Sequence, residues 1–378
     1  MIGNGLRSLL FGSIFVVFAT DSRADPFLIT NLVSDQAGAV ITDPNLVNPW
    51  GISFSGTSPF WVSNNGTGTS TLYSVNPTTG AVNKAALTVT IPGDGSVTGQ
   101  VFNSSAGTGA FNGDVFVFVS EDGTISGWRG ALGTKAEILF AGSTANVYKG
   151  SALDVTGGHS YLLGANFRAG TIDVLKGDTA APSLAGAFTD PSPITGYAPF
   201  NVQTIGSTIY VTYAKQDAAK HDEVSGAGNG YVDAYDLNGN FLRRVATGGA
   251  LNSPWGLAIA PTSFGPFAGK LLVGNFGDGH ISAYDPLTGA FAGQFVDSKT
   301  GNALSIDGLW SITPGNGGNG GSTQLLYFTA GPGGETHGLF GSVAAVPEPS
   351  PMILGGLTAI AGLAIGRGRK FLSAKKAG

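Results

Sequence analysis

Away from its two ends, the chain is a succession of short apolar runs. Phe60-Trp61-Val62-Ser63-Asn64, Leu72-Tyr73-Ser74-Val75 and Lys270-Leu271-Leu272-Val273-Gly274-Asn275 are typical, and Gly, Asn, Asp or Pro interrupts the pattern every ten residues or so. Runs of this length, rich in Val, Thr and Phe and bounded by turn residues, predict strands. No convincing helical period occurs outside the termini, so the pattern predicts an all-β fold.

The runs repeat. Asn48-Pro49-Trp50-Gly51-Ile52-Ser53 returns as Ser253-Pro254-Trp255-Gly256-Leu257-Ala258. In both copies a second strand follows, then a third that ends in a hairpin. Asn76-Pro77-Thr78-Thr79-Gly80 matches Asp285-Pro286-Leu287-Thr288-Gly289, and Asp236-Leu237-Asn238-Gly239 is a further copy. Asn or Asp opens such a turn by bonding its own backbone, and Gly takes the left-handed position. Weaker first strands begin near Val101, Gly150, Phe200 and Gly308, which makes six starts about fifty residues apart. That period is close to the ~40–50 residues of a four-stranded propeller blade. The expected fold is therefore a six-bladed β-propeller over 25–345, with seven blades or a pair of β-sandwiches as the alternatives. The last blade holds only three strands, Leu309–Ile312, Gln324–Thr329 and Gly338–Val343. The orphan run Phe27–Val33 is expected to supply its outer strand as a clasp, leaving no ring edge open.

The Pro-Trp-Gly-Ile and Tyr-Asp-Pro-x-Thr-Gly motifs resemble those of NHL and related six-bladed propellers. Asn31-Leu32-Val33-Ser34-Asp35, the run from Asp43 to Gly51 and the run from Tyr213 to Tyr231 are similar to a bacterial family of secreted propellers. That family has no established activity, and several of its members end in PEP-CTERM sorting tails. The resemblance implies fold and not chemistry.

Both ends carry export signals. Arg7, an apolar run from Leu9 to Ala19, and Ser22-Arg23-Ala24 describe a signal peptide over 1–24. Its apolar run is shorter than the ~20 residues of a comfortable membrane span; an uncleaved anchor is the other reading. At the far end, Val346-Pro347-Glu348-Pro349-Ser350 precedes an apolar stretch, Met352 to Ile365, and the basic residues Arg367, Arg369, Lys370, Lys375 and Lys376. This order resembles the PEP-CTERM region, with Pro347, Glu348 and Pro349 as its sorting motif and 346–378 as its extent. The resemblance implies a transmembrane helix, transient membrane anchoring and an exosortase-type protease as partner. Eight residues beyond Lys370 depart from the usual short end. Independently of the resemblance, basic residues resist translocation and keep such a tail cytoplasmic, and a plain stop-transfer anchor would look much the same. The expected location is the cell surface or the extracellular space.

The ends change the charge balance. Seven of the nineteen basic residues and two of the twenty-four acidic ones lie outside the body. The body keeps twelve basic against twenty-two acidic residues, a net of −10. Scattered cations on an acidic body make a poor nucleic-acid binder, which needs clustered Lys and Arg. Anionic polysaccharide would be repelled as well, unless a bound cation mediates. With no Cys, thiolate metal sites and cysteine nucleophiles are excluded. The absence does not argue against export, since a core this large folds without disulfides.

In a propeller, the loops entering the first strands and those joining second to third strands open on one face. Here these loops hold Asn65, Asp122, Asn166, Asn275 and three of the four histidines. His221, His280 and His337, with Asp222, Glu223 and Asp278, form the candidate set for a divalent metal, because imidazole and carboxylate suit such ions. His159 falls in a first-to-second hairpin, on the opposite face. No His-x-x-x-His spacing and no calcium-loop motif supports the metal, so solvated loop residues pointing apart are the competing reading. Trp50, Trp255 and Trp310 are candidates for a sugar-stacking platform on that face; at matching strand positions they equally suit packing between blades. The Gly315–Gly321 run is a flexible tip, no helix following it as a phosphate cradle requires. No Gly-x-Ser-x-Gly elbow occurs.

These observations favour an exported binding or structural module of the cell envelope or exopolysaccharide matrix. The competing class is a metal-assisted enzyme of lactonase or lyase type. A regucalcin-type lactonase needs a Glu beside an Asn and an Asp at the channel. Asn166 and Asn275 are available, but no Glu stands at the start of a first strand.

Overall fold

The computed structural model describes residues 26–346. The signal peptide, the sorting motif Pro347, Glu348 and Pro349, and the expected membrane helix lie outside the described residues. Among the described residues, no helix is long and apolar enough to cross a membrane.

Six sheets, antiparallel but for one short parallel pair, together make a six-bladed all-β propeller. Two strands precede the first repeat, β1 (Phe27–Ser34) and the two-residue β2 (Ile41–Thr42). Blade 1 is β3 (Pro49–Ser53), β4 (Phe60–Asn64), β5 (Thr69–Val75) and β6 (Val82–Thr90). Blade 2 is β7 (Val97–Phe102), β8 (Phe116–Ser120), β9 (Ile125–Trp128) and β10 (Glu137–Phe140). Blade 3 has β11 (Tyr148–Thr156), β12 (His159–Asn166) and β13 (Thr171–Lys176). Blade 4 is β14 (Tyr197–Ile205), β15 (Thr208–Lys215), β16 (Tyr231–Asp236) and β17 (Phe241–Thr247). Blade 5 is β18 (Pro254–Ile259), β19 (Leu271–Asn275), β20 (Ile281–Tyr284) and β21 (Phe291–Gln294). Blade 6 contributes β22 (Leu309–Pro314), β23 (Leu326–Ala330) and β24 (Leu339–Ala345). On its outer side β1 runs antiparallel to β24, from Phe27 opposite Ala345 to Ser34 opposite Leu339, and β2 lies parallel to β1.

Blade 3 departs from the expected four strands. The segment where its outer strand belongs contains Pro182, Pro191 and Pro193, and proline cannot donate to a ladder. That segment crosses to blade 4 instead, where the Gly186 and Phe188 N–H groups donate to the carbonyls of Asn238 and Gly239.

Between blades the core is aliphatic and aromatic. Phe27 stacks on Phe295 at 3.8 Å between the last two blades, and Trp61 stacks on Phe116 at 4.0 Å between the first two. The motif repeat has a physical cause. Asn48 and Ser253, each just before Pro-Trp-Gly, both hold positive φ, at 44° and 47°. A side chain at Gly51 or Gly256 would strike the next blade's backbone, with a Cβ 2.7 Å from the carbonyl oxygen of Thr98 or Trp310.

The ring's centre is filled. Trp50, Trp255, Trp310, Phe167 and Phe200 form one buried cluster with Phe276 packed against it. Trp50 stacks on Trp310 at 3.5 Å, and Trp255 meets both edge-on. Blades 1 and 5, or 4 and 6, touch only across the axis, so these contacts place the cluster there as a plug. The tryptophans are thus packing residues: Trp255 is 3% and Trp310 0% exposed, and the expected stacking platform is not formed by them.

Candidate functional site

The plug is built from one repeated position. Trp50 and Trp255 each precede the close-approach glycine of a first strand, and in blade 3 the residue before Gly150 is Lys149. Lys149 therefore occupies a tryptophan position at the axis, and it is 1% exposed. A buried ammonium is costly unless paired. Here it is paired twice, with the Glu121 carboxylate and with Asp222 Oδ1 at 3.1 Å. Its Nζ also lies 5.2 Å from the Trp50 ring centroid and 6.0 Å from that of Phe167, within reach of a cation–π attraction. Burial alone would lower its pKa; Glu121, Asp222 and Glu223 more than offset that, and the net shift is upward.

Loops between second and third strands deliver the carboxylates. Glu121 follows β8 and is fixed by the Asn65 Nδ2 donor at 3.0 Å. Asn65 accepts from Asn48, and Asn48 accepts from Trp310 Nε1 at 3.0 Å, so the relay runs from the plug to the surface. Asp222 comes from the long charged stretch of blade 4. This stretch is a tied hairpin, with Asp217 N–H donating to the Asp222 carbonyl and Val224 N–H to that of Lys215, both at 2.8 Å. Glu335 follows β23.

Around Lys149 these residues open a hollow of about 360 Å³, lined also by Trp50, His221 and Phe276. Its carboxyls are unequal. Burial tends to raise Asp222, but Lys149 and His221 hold it below the usual range. Glu223 is pushed up to about 7, chiefly by burial, with Lys149 only partly offsetting the push. Glu335 is raised as well, by burial and by Glu121. One ammonium thus faces four carboxyls, two of which resist ionisation.

The expected three-histidine metal site is not assembled. His221 Nδ1 pairs with Asp222 at 2.8 Å, His280 stands 3.6 Å from Asp278, and His337 bonds Asp35 at 2.9 Å. His221 and His337 are each hydrogen-bonded to a carboxylate of their own, and His280 lies beside another. Among the described residues, the one group with metal-ligand spacing is Glu121, His221 and Asp222, whose ligand atoms lie within 4.8 Å of one another. Of the other expected face residues, Trp50 and Asn65 line the hollow. Asp122 binds the Thr124 and Asp94 backbones beside it. Asn166 and Asn275 are buried and hold turns, accepting from Val147 N–H and donating to the Ala250 carbonyl respectively. His159 pairs with Asp178 at 2.9 Å. No sequence motif contains Lys149. Aligning the residue before each first-strand glycine is the signal that finds it.

No family model matches the sequence. Three viral proteins do, two of them over most of this chain. The uncharacterized protein R648 of Acanthamoeba polyphaga mimivirus is 32% identical over 332 residues, covering 83% of this chain and 79% of its own. L690 of the same virus, also uncharacterized, is 30% identical over 319 residues, with 80% and 81% covered. This chain belongs to their family. Among solved structures, a glucose dehydrogenase is 12% identical with a TM-score of 0.51, covering 84% of this chain and 100% of that one. At that identity the likeness is one of fold alone.

Proposed function

We propose that this chain is an exported propeller that acts as a binding module of the cell envelope or exopolysaccharide matrix, taking its ligand in the hollow around Lys149. The observation that carries this reading is the hollow's make-up: a concavity of about 360 Å³ walled by Phe276, backed by the buried Trp50, and with an excess of carboxyls over its one ammonium. Such a site favours a neutral or amino-bearing glycan and repels an anionic one. A binding role also fits the state of Lys149, whose ammonium is locked between carboxylates and is no nucleophile. The test is a tryptophan-fluorescence titration with glucose, glucosamine and glucuronate oligomers. Glucosamine oligomers are expected to bind best, and Glu335→Ala to weaken them about tenfold. Preferential binding of glucuronate, or no loss in the variant, would refute the reading.

A metal-assisted reaction is the second reading, carried by the Glu121, His221 and Asp222 spacing. It places an ion where the ammonium of Lys149 already stands, which is why binding is preferred.

Export rests on the sequence of the two ends, and the relatives being viral leaves the bacterial host part of the proposal. In an exosortase-carrying host, replacing Pro347, Glu348 and Pro349 by alanine should leave an uncleaved chain in the membrane fraction. Normal release of that variant would leave only a plain anchor. The register of β1 on β24 supports a further element, that β1 acts as the clasp of the ring. Deleting residues 27–34 removes the outer cover of β24 and should give aggregation through the bared edge. A monomeric deletion variant with unchanged melting would show that ring closure does not need β1.

A further inference from the structure

We infer that Lys149 is the built-in occupant of a divalent-cation site whose ligands are Glu121, His221 and Asp222. Two observations meet at this point. The first is the donor set: one oxygen from each carboxylate and one imidazole nitrogen, all within 4.8 Å of each other. Mixed oxygen and nitrogen donors of this kind suit zinc and similar ions, which draw their ligands to ~2.0–2.2 Å. The second is that a cation already stands there. The ammonium nitrogen bonds Glu121 and Asp222, the two carboxylates of the set.

The lysine cannot easily step aside. It is 1% exposed, it arises from the second residue of β11, and it lies against the plug at a position where blades 1 and 5 carry tryptophan. The other ligands can be approached: the side chains of His221 and Asp222 are 40% and 64% exposed. A single positive charge also leaves the two carboxylates of the set only half compensated. Ammonium and metal ion are therefore mutually exclusive, and the lysine keeps the natural protein indifferent to divalent ions while preserving a ligand set that would take one.

The experiment removes the occupant. Full-length wild type and Lys149→Met are titrated with Zn²⁺, Mn²⁺ and Ca²⁺ by calorimetry and by the shift in melting temperature, since an ion bound only by the folded state raises it. Wild type should bind none of them below about millimolar concentration. Lys149→Met should bind one ion per chain at least 100-fold more tightly, and adding His221→Ala should cost at least tenfold of that gain. A folded Lys149→Met that binds no ion would overturn the inference, as would a wild type that binds equally well. Folding of the variant only when an ion is supplied would support it. Should Lys149→Met fail to fold in either condition, Lys149→Gln takes its place in the same titration: ion binding that His221→Ala weakens upholds the inference, and a folded Lys149→Gln that binds no ion overturns it.

Discussion

The two mouths of the propeller are made by the same strands and have opposite chemistry. Lys149 and Ser151 both belong to β11, and Lys149 sits at the bulge between Tyr148 and Gly150. Lys149 faces the upper hollow with its four carboxyls. Ser151 lines the lower mouth, a well of about 230 Å³ that Ser53, Gln100, Thr204 and Thr313 share and that no ionisable residue lines. In that well the hydroxyls of Ser53, Ser151 and Thr204 are sealed from solvent without a hydrogen-bond partner. The aromatic plug belongs to the upper end of the first strands. The difference comes from what the connections carry. Below, the first strands of blades 3 and 4 turn straight into second strands at Gly157-Gly158 and Gly206, both pairs of ends bound by ladder hydrogen bonds. Above, the loops between second and third strands bring Glu121, Asp222, Glu223 and Glu335 to the axis. The strands supply the cup and the loops supply the charge.

Removing one residue from each mouth should expose the contrast. Without added metal, Lys149→Met leaves Glu121, only 13% exposed at its side chain, without its cation. Losing one partner of a buried pair costs about 3 kcal/mol; the Asp222 side chain, 64% exposed, adds little because water screens it. Ser151→Ala removes a hydroxyl that has no partner to lose, and its effect should stay within about 0.5 kcal/mol of zero. Denaturant midpoints of the two variants measure this. Equal losses at the two positions would mean that Lys149 is a space-filler like its tryptophan counterparts.

The sequence makes the cup far more legible than the charge. Pro49-Trp50-Gly51 and Pro254-Trp255-Gly256 announce blades because each residue answers a recurring constraint, namely a positive φ before the proline, an aromatic at the axis and a glycine under the next backbone. The same logic predicts which loops share a face, and Asn65, His221 and Asp222 do line the hollow. It could not tell where a loop side chain turns. His280 and His337 sit in the expected loops, yet Asp278 holds one from two residues away, and Asp35 holds the other from the far end of the chain. Lys149 was hidden for a different reason: it lies in a strand, in a copy of the repeat whose local sequence, Tyr148-Lys149-Gly150-Ser151, shares only the glycine with the clear copies. The missing strand of blade 3 was legible in its prolines, but an even spacing of starts masked it.

The smallest expected effect is on the pH dependence of stability, and it too separates the mouths. Glu223 is pushed up to about 7 in the folded chain, while its ordinary value is near 4.5. Below pH 4.5 it is protonated in folded and unfolded chains alike and contributes no penalty. Between 4.5 and 7 the folded chain keeps a proton that the unfolded chain has released, so stability falls as pH rises. Above 7 the full penalty is present, about 1–2 kcal/mol after allowing for partial solvent screening. Three other carboxyls, Asp114, Asp154 and Asp233, are each raised to about 6, and Glu335 is raised as well, so they add to the slope over the same range. They titrate in wild type and variant alike, and the difference between the two curves reads Glu223 alone. Glu223→Gln should match wild type at pH 4, flatten the stability curve between pH 6 and 7, and exceed wild type at pH 8. Ser151→Ala, in a mouth with no ionisable lining, should run parallel to wild type throughout. Denaturant midpoints taken every half unit of pH will show it. A wild-type slope retained between pH 6 and 7 in Glu223→Gln would mean that this carboxyl ionises as freely in the hollow as in water, and that the hollow is wetter and less able to hold a cationic ligand than its geometry implies.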